Sequence, residues 1–259
     1  MHKFKEVLSR GEIAYGSFCA LKDPAIIEIL GYAGYDFAII DLEHSALDKS
    51  TMEHFIRAAQ VANISSIVRI TGQDYGTILR AVEAGADGIM FPHVISKDQC
   101  QRIVNEAKYF PVGRRGMDGS TRVAKYGNIP MAEHMRQQNE RLLVIAMIED
   151  VEGVENLDAI LGVNGLDLLF IGAADLSCSF GLPHQVTHPK VRKAIQSVFQ
   201  KANQAGKKAG APAYDAVQAK EIADLGAGFI TTPAVDTYHL TETLKAHLAK
   251  VKTANKKTL

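Results

Sequence analysis

The chain has 259 residues, 47% of them hydrophobic and 22% charged, so it has enough apolar material for a large core and no composition typical of disorder. Basic and acidic residues number 29 each, which leaves no overall field to attract nucleic acid or an anionic membrane surface. Cys19, Cys100 and Cys178 lack the paired spacing of a zinc site or a disulfide framework, so we expect free buried thiols. We find no apolar leader and no apolar run of roughly 18 residues, so we expect a cytoplasmic protein.

Short apolar runs alternate with helical stretches along the chain. Runs without alternating polar positions are typical of parallel strands covered on both faces. We predict strands at Tyr15–Cys19, Phe37–Asp41, Ser66–Ile70, Gly88–Pro92, Leu143–Ile148, Leu168–Gly172, Lys208–Ala211 and Phe229–Thr232. Apolar residues at three- and four-residue spacing predict helices such as Pro24–Ala33, Lys49–Ala62, Tyr75–Glu83 and His188–Ala205.

Eight such strand–helix units predict a single domain over residues 1–259, a closed (β/α)8 TIM barrel with its active site at the C-terminal ends of the strands. A doubly wound open sheet is the alternative fold. That alternative lacks its signature, because no Gly-x-Gly-x-x-Gly follows the first strand.

The stretch Tyr109–Arg141 is too long for a plain helix and contains several glycines and prolines. Loops of this length are usually functional. Because it lies between strands four and five, we predict a partial lid over the catalytic face, followed by a short helix from Met131 to Glu140.

Carboxylates end two neighbouring predicted strands, at Glu149 and Asp175. Adjacent strands lie about 5 Å apart, so the two side chains could share one hard cation through oxygen ligands. The alternative is structural: Asp175 would cap the following helix and Glu149 would form a surface ion pair.

Polar residues also end strands two and three. Asp41 and His44 could pair, which would fix the imidazole tautomer and make His44 a base. Arg69 needs an anionic partner, either a substrate or a carboxylate such as Glu43 or Glu149. Small residues at Gly172 and Ala174 would let backbone N–H groups approach a substrate carboxylate.

In chain order, five groups of residues resemble motifs of the 4-hydroxy-2-oxoheptanedioate aldolase family, which are class II metal-dependent pyruvate aldolases. The groups are Asp41-Leu42-Glu43-His44, Arg69, Gly113-x-Arg115-Gly116, Glu149 and Gly172-x-Ala174-Asp175-Leu176-Ser177, and the likeness extends from about Tyr15 to Asp236. The resemblance implies a phosphoenolpyruvate/pyruvate-binding TIM barrel and a role in the catabolism of aromatic compounds.

The resemblance also implies roles for individual residues. Glu149 and Asp175 would hold Mg²⁺, Mn²⁺ or Co²⁺, and Arg69 would hold the keto oxygen of pyruvate. His44, oriented by Asp41, would be the base. The backbone amides of Gly172 and Ala174 would receive the pyruvate carboxylate.

The implied reaction is reversible cleavage of a 4-hydroxy-2-oxo acid to pyruvate and a small aldehyde through an enolate. No lysine ends any predicted strand, which argues against a Schiff-base aldolase. Two alternatives remain. A citrate-lyase-type enzyme acting on acyl-coenzyme A would need a basic groove, for which Arg114, Arg115 and Arg122 are the candidates; a non-catalytic keto-acid-binding barrel would fit Met147, which replaces a glutamine common in the family.

The resemblance implies a homo-oligomer, a hexamer in which the last helix packs on a neighbouring barrel. The predicted helix from Thr237 to Lys250 carries Leu240, Leu244 and Leu248 on one stripe. We expect neither nucleic acid nor membrane partners.

Overall fold

The computed structural model describes residues 2–72 and 74–256, and within them eight parallel strands close into a barrel in chain order. The strands are β1 (Ala14–Cys19), β2 (Phe37–Asp41), β3 (Ser65–Arg69), β4 (Gly88–Phe91), β5 (Leu143–Ile148), β6 (Leu168–Ile171), β7 (Lys208–Pro212) and β8 (Phe229–Val235). β8 pairs with β1 and closes the ring. The predicted TIM barrel is confirmed, and the open sheet is excluded.

The helices surround the barrel. They are α1 (Lys3–Ser9), α2 (Ala25–Tyr32), α3 (Lys49–Val61), α4 (Tyr75–Ala84), α5 (Lys97–Ala107), α6 (Met131–Arg141), α7 (Val151–Glu155), α8 (Leu157–Leu161), α9 (Ala173–Ser179), α10 (Pro189–Gln204), α11 (Ala216–Asp224) and α12 (Asp236–Lys256), with a short 3₁₀ segment at Arg122–Gly127. The predicted bounds agree closely except at α12, which continues well past Lys250. Gly85 ends α4 with φ +98°, a left-handed conformation that glycine adopts without a Cβ penalty.

The barrel interior is filled by large apolar side chains, and α1 contributes Phe4 and Val7 to it. The Phe37 ring lies so close to Gly16 that no Cβ would fit there. Met147 belongs to this interior cluster and is 2% exposed. It is therefore a core residue rather than a side chain presented to the mouth.

A second core lies between the barrel and its helices, and it includes Cys19 and Cys100. Cys178 is exposed, so the expectation of three buried thiols was wrong for this residue. Within the described part of the chain, no helix has both the length and the apolar character needed to cross a bilayer.

The predicted lid is wrong. Helix α5 follows β4 after a turn of five residues and carries the chain away from the mouth, so residues 108–130, which we call the strap, lie outside the barrel against α3 and α4. The Gly116 N–H donates to Tyr75 Oη (3.0 Å), and Arg122 donates to the Ala84 carbonyl (2.6 Å) and to Gln60. The helix predicted after this segment is confirmed as α6.

Helix α12 extends away from the barrel. It contacts β8 and β1, but its apolar stripe has no cover: Leu240, Leu244, Leu248 and Val251 are 43–59% exposed. The helices that flank the β8–β1 seam, α11 and α2, also present exposed apolar side chains, at Val217, Ile29 and Tyr32. The place that an eighth outer helix usually fills in a barrel is therefore open on this chain.

Candidate active site

The C-terminal ends of two pairs of neighbouring strands, β2 with β3 and β5 with β6, bring the predicted site residues to one mouth. Asp41 of β2 is in register with Arg69 of β3, and Ile148 of β5 is in register with Ile171 of β6. Glu149 and Gly172 follow directly after this second pair. The clustering that we expected from parallel strands is therefore present.

Arg69 is held by two carboxylates. Its Nε and Nη2 donate to Asp41 Oδ1 and Oδ2 at 2.8 and 2.7 Å, and its Nη1 lies 3.2 Å from Glu43 Oε2. The guanidinium also stacks on the Phe18 ring, 4.6 Å from its centroid. Burial acts to raise the pKa of Asp41, but the bonds from Arg69 outweigh it and hold that pKa below its usual value.

The structure differs from the expected Asp41–His44 pair. The main-chain N–H of His44 donates to Asp41 Oδ1 (3.3 Å), whereas the His44 ring is 70% exposed with its Nε2 3.9 Å from Glu43 Oε2. A planar guanidinium binds both oxygens of a carboxylate at once, so Arg69 takes the lone pairs that the imidazole would need. Asp41 thus positions His44 through the main chain and not through its ring.

Glu149 is 2% exposed, which excludes the surface ion pair considered as an alternative. Its Oε1 accepts the His93 N–H (2.8 Å), while its Oε2 lies so close to Gly172 that a Cβ at residue 172 would overlap it. Burial raises the pKa of Glu149 to about 7, and the charges of Asp175 and Glu43 act in the same direction. A buried carboxylate beside other carboxylates is an environment that a cation would stabilise.

Asp175 is exposed in the first turn of α9, close enough for its charge to act on Glu149. No side-chain capping bond is present at the start of α9, so the helix-capping alternative has no support. Within residues 2–72 and 74–256 no cluster of three or more His, Cys, Asp or Glu side chains is arranged to hold a metal. The protein thus offers two carboxylates, and water and substrate would supply the remaining ligands of a metal ion.

The two predicted amide donors differ. The Gly172 N–H donates to the Ile148 carbonyl (3.3 Å), so it is already engaged in the barrel, contrary to our expectation. Ala174 lies in the first turn of α9, where backbone N–H groups have no intrahelical acceptor. Of the two predicted donors, the Ala174 amide is therefore the one that remains available to bind an anion.

The sequence analysis missed His93 and Asp150. His93 follows β4 after Pro92, and its Nδ1 lies 2.9 Å from Asp150 Oδ2 and 3.7 Å from Glu149 Oε1. Burial acts to lower the pKa of His93, but the bond to Asp150 and the nearby carboxylates outweigh it and raise the pKa. Each is the second residue after a buried strand, so the rule that found the other site residues, a polar side chain at a strand end, finds both when it is extended by one residue.

The buried guanidinium of Arg69 and the carboxylates of Glu149 and Asp175 therefore lie at one mouth above an apolar barrel interior. This combination can hold an oxyanion at Arg69 beside a cation at Glu149 and Asp175, which is the electrostatic requirement for stabilising an enolate.

Comparisons with known proteins support this interpretation. A 2-keto-3-deoxy-L-rhamnonate aldolase from Salmonella gallinarum is 34% identical over 250 residues, covering 96% of this chain and 92% of that protein. The crystal structure of the citrate synthase SbnG superposes with a TM-score of 0.89 at 36% identity, covering 97% of this chain and 98% of that one. An HpcH/HpaI aldolase structure from Desulfitobacterium hafniense DCB-2 has a TM-score of 0.91 at 32% identity, with 97% of each chain covered.

The aldolase relatives carry a different substrate name from the one that the sequence motifs implied, so the narrower 4-hydroxy-2-oxoheptanedioate aldolase assignment stays a prediction. The broader family is confirmed, because residues 14–239 match the sequence profile of HpcH/HpaI aldolase/citrate lyase. The chain thus belongs to the HpcH/HpaI aldolase/citrate lyase family and is a carbon–carbon lyase of the aldolase type.

Proposed function

We propose that this aldolase depends on a divalent cation and reversibly cleaves 4-hydroxy-2-oxo acids to pyruvate and a small aldehyde. The observation that carries the proposal is the buried Glu149 carboxylate, which His93 holds through one oxygen while the other lies against Gly172, with the charge of Asp175 close enough to act on it. The donor set fits a hard cation, because the charges of Glu149 and Asp175 are close enough to interact and, among the described residues, neither carboxylate forms an ion pair with a lysine or an arginine.

Glu149 and Asp175 would hold Mg²⁺, Mn²⁺ or Co²⁺, and the bound cation would supply Lewis acidity that polarises the keto group of the substrate. The side chains of this protein would do the rest. The Ala174 amide receives the substrate carboxylate, while Arg69 donates to the keto oxygen. The contacts of Arg69 with Asp41 and Glu43 use at most three of its five N–H groups, so donors remain for this bond.

Proton movement falls to His44 in this proposal. His44 accepts the proton of the C4 hydroxyl, the C3–C4 bond breaks, and the aldehyde leaves. The electron pair passes to pyruvate as its enolate, whose oxygen Arg69 stabilises until C3 is protonated. The exposed ring of His44 can reach a substrate at the mouth, and Asp41 fixes the backbone from which it extends.

Condensation onto a keto acid is a second candidate reaction, because the citrate synthase SbnG is 36% identical to this chain. The acyl-coenzyme A alternative has less support. Its candidate basic groove lies in the strap, where Arg115 is 4% exposed and stacks on Tyr109 while Arg122 binds the Ala84 carbonyl. A non-catalytic keto-acid-binding barrel also has less support. Met147 packs in the barrel interior, so the absence of a glutamine at this position does not remove a hydrogen-bond donor from the mouth.

We also propose that the whole chain, residues 1–259, is one domain, that it acts in the cytoplasm, and that it forms a homo-oligomer, a hexamer by family resemblance. The exposed stripe of α12 supports the oligomer, since a second copy could offer the open α11–α2 surface as its cover. Nucleic acid and membranes have no part in this proposal.

The test is pyruvate release from a simple 4-hydroxy-2-oxo acid, followed by NADH oxidation with lactate dehydrogenase. We expect activity with Mn²⁺ or Mg²⁺, loss after exhaustive chelation, and recovery when metal is restored.

Parallel reactions measure citrate formed from oxaloacetate and acetyl-coenzyme A. Citrate without pyruvate release would favour the citrate-lyase type, full activity in metal-free protein would overturn the metal dependence, and no turnover of either kind would favour a binding protein.

A further inference from the structure

The turn between β4 and α5, residues 92–96, holds its second residue in an uncommon conformation. His93 has a φ of +52°, in the left-handed region that non-glycine residues rarely adopt. It is the residue whose N–H meets Glu149 Oε1 at 2.8 Å. Because φ sets the angle between this N–H and the chain that follows, a histidine with an ordinary negative φ could not keep both the N–H and the rest of the turn in these positions.

The turn is fastened to its surroundings on several sides. Gln99 donates to the His93 carbonyl and accepts the Ile95 N–H, both at 2.9 Å. Further bonds are Val94 N–H to the Met147 carbonyl (3.1 Å) and Asn156 Nδ2 to the Ile95 carbonyl (2.8 Å). A Cβ at Gly153 would lie 2.7 Å from the Val94 carbonyl oxygen, so α7 packs directly against the turn.

The His93 side chain adds one more bond. Its Nδ1 lies 2.9 Å from Asp150 Oδ2, on the residue directly after Glu149. The main-chain N–H of His93 thus binds Glu149, and its ring binds the next residue, Asp150. Such a contact fixes the orientation of a metal-binding side chain without touching the metal ion itself.

We propose that His93 is a positioning residue for the metal site: its left-handed backbone binds Oε1 of Glu149 and thereby directs Oε2 toward Asp175 and the cation. This inference rests on the proposed role of Glu149 as a metal ligand. The backbone conformation carries the effect, and the bond from the ring to Asp150 supports it.

The experiment compares His93→Gly, His93→Ala and His93→Val with the unmodified protein, using Mn²⁺ alone and electron paramagnetic resonance to count free ions. Glycine keeps both the left-handed conformation and the N–H, whereas a β-branched residue resists that conformation. We expect His93→Val to lose Mn²⁺ affinity by about 10- to 100-fold, the usual effect of removing a partner of a metal ligand. His93→Gly should keep most of the affinity, and His93→Ala should lie between them.

His184 offers a matched control, because it also has a positive φ (+60°) but is exposed in the loop after α9. His184→Val carries the same backbone strain away from Glu149 and should bind Mn²⁺ like the unmodified protein. Equal losses in His93→Gly and His93→Val, or an unchanged His93→Val, would overturn the proposal.

Crystal structures of the metal-free variants separate this inference from the proposed function. If the unmodified protein binds no Mn²⁺, the metal-dependent function is overturned, while the position of the Glu149 carboxylate still tests His93. A carboxylate displaced in His93→Val and retained in His93→Gly supports the positioning role. A carboxylate that stays in place in His93→Val contradicts it.

Discussion

The Arg69 guanidinium is buried between Asp41 and Glu43, and this arrangement decides which substitutions can test the mechanism. Removing one partner of a buried ion pair leaves an uncompensated charge at a cost of about 3–5 kcal/mol. In Arg69→Ala, a loss of catalysis could therefore not be distinguished from a loss of stability. Arg69→Lys keeps the charge but cannot grip a carboxylate or a keto oxygen with two parallel bonds, so it is the better probe.

His44 can be tested by comparing two reactions that share an enolate. Aldol cleavage needs a base for the C4 hydroxyl, whereas oxaloacetate decarboxylation passes through pyruvate enolate without a hydroxyl proton to remove. His44→Ala should lose aldol turnover by about 10²- to 10⁴-fold, the usual contribution of a positioned base, and keep much of the decarboxylation. Both rates are measured on metal-loaded variants with matching circular dichroism spectra.

The same assays distinguish Asp41 from His44. Because Asp41 grips Arg69 and not the imidazole, Asp41→Asn should resemble Arg69→Lys, with both reactions slowed. An Asp41→Asn variant that loses only aldol cleavage would point to an imidazole partner after all. If His44→Ala slows both reactions equally, the assignment of His44 as the aldol base is wrong.

Gly172 gives a steric test of the same site. A methyl group at residue 172 would overlap Glu149 Oε2, so Gly172→Ala should displace that carboxylate. We expect catalytic efficiency to fall by about 10²-fold, since displacement of a catalytic group by about 1 Å costs this much. Gly162→Ala is the control, because its new Cβ would meet only carbonyl oxygens at an ordinary 3.6 Å. Comparable efficiency in the two variants would show that the Glu149 carboxylate is not held over Gly172 in solution.

At the scale of elements, α12 has an apolar stripe that faces solvent along most of the part of the helix whose side chains are described. If a second copy covers this stripe, a charge within it should dissociate the assembly. Leu244→Asp is expected to convert the oligomer to smaller species at micromolar concentration, measured by light scattering and sedimentation velocity. Ala246→Asp makes the same change in charge at an exposed residue on the opposite face of the helix and should leave the assembly intact. A monomeric unmodified protein, or an intact Leu244→Asp oligomer, would contradict this account.

The strap shows where sequence reasoning failed at this scale. The lid was inferred from the position of Tyr109–Arg141 between two strands, but α5 intervenes and turns the chain outward. The α5 sequence has apolar Cys100, Ile103, Val104 and Ala107 at helical spacing, so the pattern needed to avoid the error was present. The seven-residue α1 was missed for another reason, because a helix this short shows too little periodicity.

At the scale of the molecule, the barrel was predictable because most strands are largely apolar runs and several of them end in, or are followed directly by, a polar residue. Those ends also predicted which residues meet, including Asp41, Arg69 and Glu149. What the sequence did not specify was the pairing among them: Glu43 and Glu149 were the acidic candidates for Arg69, whereas Arg69 pairs with Glu43 and with Asp41, which had been assigned to His44. Partner choice within a cluster depends on side-chain geometry, which a pattern of residue types does not encode.

A cation bound at the mouth should change the stability of the whole molecule. The pKa of Glu149 is raised to about 7 from 4.5, so the folded metal-free protein loses stability as pH rises from about 4.5 to about 7 and this carboxyl must ionise. At pH 8, Mn²⁺ at 100 times its dissociation constant should restore about 2.7 kcal/mol. A chain of this size gains about 2–4 °C in Tm for each kcal/mol, so we expect a rise of about 5–10 °C by differential scanning fluorimetry.

Glu149→Gln should have a metal-free Tm at least as high as that of the unmodified protein, because the amide carries no charge, yet show almost no response to Mn²⁺. Glu152→Gln makes the same change at an exposed residue on α7 and should keep the full response. A Glu149→Gln variant that Mn²⁺ stabilises as strongly as Glu152→Gln would place the cation elsewhere on the molecule.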